Sequence, residues 1–116
     1  KIDMLDTGRS IKTFGYISDI TEMFFNIIQF GKKTEYNTTG QDYVSILDLA
    51  TTIASNLDDI KITIPKNNSN LLHIGSDIDQ VIISPERYKN EFKKLDFVSF
   101  ENGIRNVVNW NLGNLI

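Results

Sequence analysis

Residues 6–25 run from a turn through a short extended piece into a helix start without interruption, and this junction sets the pattern of the whole chain. Asp6-Thr7-Gly8 is a turn signal. Thr13 to Ile17 then alternates bulky and small or polar side chains, as an extended segment does. Ser18 and Asp19 stand where a capping side chain takes up the free amides of a first helical turn, and Asp19 with Glu22 has capping-box spacing. Ile20, Met23, Phe24, Ile27 and Ile28 fall at i, i+3, i+4, i+7 and i+8, one buried stripe. Gly31, followed by Lys32 and Lys33, ends that helix.

The rest of the chain repeats this alternation of short extended pieces and amphipathic helices. Ile2 and Met4 alternate with polar neighbours, which predicts a short strand before the turn. Glu35 to Asn37 reads as a strand that places Asn37 at its C-terminal end. Ser45 and Asp48 form a second capping box, and Ile46, Leu49, Ala50, Ile53, Ala54 and Leu57 make one stripe. Ile60, Ile62 and Ile64 alternate as a half-buried strand does. Residues 66–79 are polar and without periodicity, so a surface loop with a binding role is expected there. Val81 to Ile83 reads as a strand. Ser84 and Pro85 predict a third helix start, with Tyr88, Phe92 and Leu95 inward. Ser99 starts a fourth, with Phe100, Ile104, Val107 and Val108 inward and Leu112-Gly113 as the stop.

The expected fold class is therefore α+β, a small mixed unit of about four helices and a few short strands in one domain, 1–116. Long valine and isoleucine runs of a central parallel sheet are missing. So small a sheet cannot cover four amphipathic helices, and some apolar face is expected to have belonged against something outside the chain.

Composition narrows function by exclusion. Twelve Lys and Arg against fifteen Asp and Glu give a net charge of −3, which argues against a nucleic-acid partner bound by phosphate neutralisation. With no cysteine and a single histidine, His73, disulfides, thiolate nucleophiles and His/Cys metal sites drop out, and a cytoplasmic location is expected. No apolar run reaches the roughly 20 residues of a membrane span. The first residue is Lys1, and nothing near it reads as a signal peptide, so an excised segment of a longer protein is expected.

Three stretches, in order, resemble the C-terminal, substrate-binding part of the extended short-chain dehydrogenase/reductases, the NAD-dependent nucleotide-sugar epimerases, dehydratases and decarboxylases. Gly8 to Asp19 is similar to the family's glycine, four-residue gap, arginine, aromatic and Tyr-Val-x-Asp pattern. Tyr36-Asn37-Thr38-Thr39-Gly40 followed by Ser45-Ile46-Leu47-Asp48-Leu49-Ala50 resembles its Tyr-Asn-x-Gly strand end and Ser-Ile-x-Glu-Leu-Ala helix. Lys94-Leu95-Asp96-Phe97 and Ser99-Phe100-Glu101-Asn102-Gly103-Ile104 look like its Leu-Gly-Phe/Trp and Ser-Leu-Glu-Glu-Gly-Ile segments. The UDP-glucuronate decarboxylase and dTDP-glucose dehydratase branches are the most alike.

The resemblance implies a UDP- or dTDP-linked sugar as ligand, carbohydrate metabolism as setting, and NAD bound by an upstream Rossmann half. No Gly-x-x-Gly-x-x-Gly is present. The family's Tyr-x-x-x-Lys pair is absent too, since Tyr16, Tyr36, Tyr43 and Tyr88 are followed four residues on by Ile20, Gly40, Leu47 and Phe92. The chain by itself is thus expected to bind substrate and not to catalyse. A homodimer is an expectation for the intact enzyme only, because the family's dimer helices lie in the other half. The rival expectation is a stand-alone, non-catalytic domain that binds a ligand or a protein and keeps the fold.

The substrate-binding candidates are six residues, with no catalytic, cofactor or metal residue among them. Lys12 stands where the family has an arginine for the diphosphate; lysine keeps the charge and loses the bidentate fork. It reads either as that phosphate ligand or as a solvated strand lysine, and Arg9 could share the task. Asn37 matches the family's strand-end asparagine, against an asparagine that satisfies its own turn. His73 and Asp77 fall near the family's loop arginine and aspartate, or are ordinary loop residues. Arg87 either approaches the same cleft or is a surface helix arginine. Ser18 and Asp19 are expected as caps, and the pairs Lys32-Lys33 and Lys93-Lys94 as solvated helix ends.

Overall fold

The computed structural model describes residues 1–65 and 80–113. Those residues form nine elements in chain order: β1 (Ile2–Asp3), β2 (Ile11–Thr13), α1 (Ile17–Phe30), β3 (Tyr43–Ser45), α2 (Ile46–Ser55), β4 (Ile62–Thr63), β5 (Gln80–Val81), α3 (Glu86–Phe92) and α4 (Phe100–Asn111). The expected α+β class holds. Among the described residues the strands make two small sheets. In one, β1 pairs in parallel with β4; in the other, β2 lies between antiparallel β3 and parallel β5.

Local chemistry explains most element boundaries. Ser45 and Asp48 make the expected capping box on α2, and Ser99 caps α4 through the Asn102 amide. Gly31 closes α1 by donating its amide to the Ile27 carbonyl at 2.9 Å. Gly8 sits at φ +66°, with the Leu47 amide nitrogen 2.9 Å from where a Cβ would stand. Glycine alone fits there, and the Gly8 carbonyl accepts from the Leu47 amide at 2.8 Å, fastening the turn to α2.

The interior is small. Met23 of α1 and Tyr88 of α3 are fully buried. The Tyr88 hydroxyl accepts from Asn26 Nδ2 at 2.8 Å, and its ring stacks on Phe92 at 4.6 Å. Phe14 packs against Phe100 at 5.6 Å and so brings the end of β2 onto α4.

Several expectations need correction. Asp19 and Ser18 do not cap α1. The helix begins at Ile17 after Tyr16, with no side-chain cap. Asp19 turns away from its own helix and is buried: Oδ2 accepts the Val98 amide at 2.8 Å, and Oδ1 pairs with Lys94 Nζ at 3.1 Å. Lys94 is not a solvated helix end either. It is 6% exposed, reaches Glu22 Oε2 at 2.9 Å and lies over the Phe97 ring at 5.0 Å. The cause is Lys93, which takes the left-handed conformation at φ 56° after α3 and turns Lys94 inward. The same reversal leaves Leu95, expected inward, 84% exposed.

Glu35 to Asn37 forms no strand, since no described segment pairs with it. Phe24, Ile28 and Val107, expected in buried stripes, are exposed. An uncovered apolar face, anticipated from the meagre sheet, is therefore present on α1.

Burial on its own would push the Lys94 pKa down, but the hydrogen bonds to Glu22 and Asp19 and the two negative charges outweigh it and hold the ammonium above the ordinary lysine value of 10.5. A raised folded-state pKa means stabilisation that is complete below the unfolded value and is lost as pH climbs through the folded one. Lys94→Ala leaves Asp19 buried without its counter-charge and is expected to cost about 3–5 kcal/mol in urea unfolding at neutral pH. The gap between wild type and variant should narrow only on strongly alkaline titration.

Candidate functional site

The six sequence candidates resolve into one connected group and outliers. Lys12 lies in the middle strand, opposite Val44 of β3 and Val81 of β5, so its backbone is fixed on both sides while its side chain is half-buried. Thr13 extends the hold on β5, its hydroxyl donating to the Val81 carbonyl at 3.2 Å and accepting the Ile83 amide at 2.8 Å. Past Ile83 the chain reaches Ser84, whose carbonyl accepts Asn37 Nδ2 at 3.1 Å. Three residues on, Arg87 Nη1 donates to the Glu35 carbonyl at 2.7 Å, with the Glu35 carboxylate 3.9 Å away.

Residues 80–87 thus form a spine with Lys12 at one end and Asn37 and Arg87 at the other. Asn37 spends one amide N–H on Ser84 and is exposed. Arg87 is engaged by the segment that carries Asn37. Arg9 belongs elsewhere: it is exposed on the Gly8 turn, with Nε donating to Thr7 Oγ1 at 3.3 Å. His73 and Asp77 lie outside the described residues.

Tyr36 anchors the Asn37 segment. Its hydroxyl accepts the amides of Lys32 and Lys33 at 2.8 Å each and donates to the Glu91 carboxylate at 2.9 Å, while its ring meets Phe92. The segment expected as a strand is therefore held by side chains instead of a ladder.

Sequence reasoning missed Asp42 and Thr13. Asp42 accepts the Phe100 amide at 2.7 Å through its carboxylate and the Phe14 amide at 3.0 Å through its carbonyl, joining the end of β2 to the start of α4. Its partners lie far off in sequence, so no local spacing marks it. Thr13 sits in the alternating stretch as an ordinary strand residue.

Chemically the group offers an ammonium at Lys12 and a carboxamide at Asn37, both hydrogen-bond donors. The chain has no cysteine, the sole histidine is outside the described residues, and among the described residues no acidic or His cluster could hold a metal ion. Nor do the described glycines at these turns cradle a dinucleotide: the space beside Gly8 is filled by Met4 and Leu47, and a Cβ on Gly40 would collide with the Phe14 carbonyl oxygen.

The sequence matches no protein-family profile and no curated protein. Its structure is similar to that of dTDP-glucose 4,6-dehydratase from Bacillus anthracis str. Ames, determined in complex with NAD, with a TM-score of 0.76 and 22% identity over 98% of this chain. The fold is that of a part of this dehydratase. The chain spans 35% of that enzyme's length. No described helix is long and apolar enough to cross a membrane.

Thr13→Val removes both ties to residues 81–83. Amide exchange at Ile83 is expected to accelerate at least several-fold, with a loss in global stability of about 1 kcal/mol.

Proposed function

We propose that this chain is the substrate-binding portion of an NAD-dependent nucleotide-sugar epimerase, dehydratase or decarboxylase, not catalytic on its own. The observation that carries the reading is the likeness over 98% of the chain to part of an enzyme that acts on a dTDP-sugar. Lys12 and Asn37 address the diphosphate, one by charge from the middle strand and one by its amide. Arg87, tied to the segment that carries Asn37, stands as a further candidate; Arg9, His73 and Asp77 stand as candidates on the resemblance alone.

The hydride chemistry belongs to NAD, bound by a Rossmann half upstream, and the residues of this chain bind and orient the sugar nucleotide. The ligand is UDP- or dTDP-linked. A lysine in place of a guanidinium makes the phosphate contact a point charge, which favours a diphosphate held additionally by Asn37.

Isothermal titration of the intact protein with UDP and dTDP sugars tests the site. Lys12→Ala is expected to weaken binding by about tenfold or more and Asn37→Ala by several-fold. Unchanged affinity in both variants contradicts the assignment.

A further inference from the structure

Between the end of α1 and the start of β3 the chain runs through residues 31–42 without helix or strand, and Asn37 stands near its middle. Side chains hold this stretch, and their ties differ in strength. Arg87 Nη1 to the Glu35 carbonyl and Lys89 Nζ to Gln41 Oε1, both 2.7 Å, are exposed bonds from α3 at which water competes. Beyond Asn37 the chain is pinned by contact: Gly40 is buried, and a Cβ there would collide with the Phe14 carbonyl oxygen.

On the other side of Asn37 the tie is Glu91. Its Oε1 accepts the Lys32 amide at 2.8 Å and the Tyr36 hydroxyl at 2.9 Å, and its Oε2 is 2.9 Å from the same hydroxyl. That hydroxyl also accepts the Lys32 and Lys33 amides at 2.8 Å, and the Tyr36 and Glu91 side chains are half-buried. Bonds to an ionised acceptor, partly shielded from water, are the strong ones of this set. Helix stability does not account for Glu91. It is the next-to-last residue of α3, where the negative end of the helix disfavours a carboxylate. What it serves instead is the first amide past Gly31 and the phenol beside Asn37.

We infer that Glu91 is a positioning residue for ligand binding: through Tyr36 it holds Asn37 where the carboxamide meets the diphosphate, an inference that rests on the proposed function. A segment ordered in the free protein costs less to bind with than one the ligand must order. The bond from Asn37 to the Ser84 carbonyl is exposed and does not supply that order alone. Lys12 is independent of this clasp, because its strand is held by β3 and β5.

Isothermal titration of the intact polypeptide with UDP and with dTDP, run as double-variant cycles, tests this. Tyr36→Phe keeps the ring against Phe92 and removes only the hydroxyl. It and Glu91→Ala are each expected to weaken binding about three- to tenfold. Added to Asn37→Ala, either change brings no further loss; added to Lys12→Ala, it multiplies the loss in full. Glu91→Gln keeps an Oε1 acceptor for both donors and is expected to bind within about twofold of wild type. The positioning role is overturned, with the site intact, if Asn37→Ala weakens binding while Tyr36→Phe does not. It is overturned equally by losses that multiply with Asn37→Ala or fail to multiply with Lys12→Ala, and by Glu91→Gln binding as weakly as Glu91→Ala. Should Glu91→Ala not fold, Tyr36→Phe decides. If neither nucleotide binds the wild type, or Asn37→Ala binds as the wild type does, the proposed site fails and the positioning role with it.

Discussion

The buried pair between Asp19 and Lys94 is the contact on which the arrangement of helices depends. Removing two charges from water is costly, and their attraction offsets this only when the remaining hydrogen-bonding capacity is satisfied. Here it is: the Val98 amide takes the second Asp19 oxygen, Glu22 shares the ammonium, and the Phe97 ring lies beneath it. Asp19 is in the first turn of α1, whose positive end also favours its charge. The pair thus joins the start of α1 to the connection between α3 and α4.

From that anchor the site is assembled by short ties. Asn26 of α1 holds Tyr88 of α3, and α3 carries Arg87 and Glu91 to the Asn37 segment. Asp42 locks the end of β2 to α4, while Thr13 locks it to residues 81–83. Lys12 therefore sits on a strand restrained on both edges, and Asn37 on a segment held at Tyr36 and at Ser84. For the proposed diphosphate site, such restraint lowers the entropic cost of ordering the pair.

Local signals were legible in the sequence and long-range ones were not. The capping box at Ser45, the side-chain cap at Ser99, the stop at Gly31 and the turn at Gly8 all act within a few residues, so spacing alone marks them. Asp19 has the same local signature as Ser45, yet its partners are 75 and 79 positions away, and tertiary contact overrode the cap. Lys94 misled for a related reason: the left-handed Lys93 exchanges inside and outside between Lys94 and Leu95, and no periodicity rule anticipates a positive φ at lysine. Phe24 and Ile28 fit a buried stripe by spacing, yet no described segment covers them, because periodicity marks an apolar face and not what lies against it. In the site, the spine linking Lys12 to Asn37 runs through Thr13, Ile83 and Ser84, contacts between segments about 50 to 70 residues apart that leave no trace in local pattern.

The proposed function divides the labour: this chain grips the sugar nucleotide and the rest of the polypeptide transforms it. The central claim is that Lys12 and Asn37 hold the diphosphate. A crystal structure of the intact polypeptide with UDP or dTDP tests it most directly. The account predicts diphosphate oxygens within hydrogen-bonding distance of both Lys12 Nζ and Asn37 Nδ2; a nucleotide bound with its diphosphate touching neither side chain would contradict it.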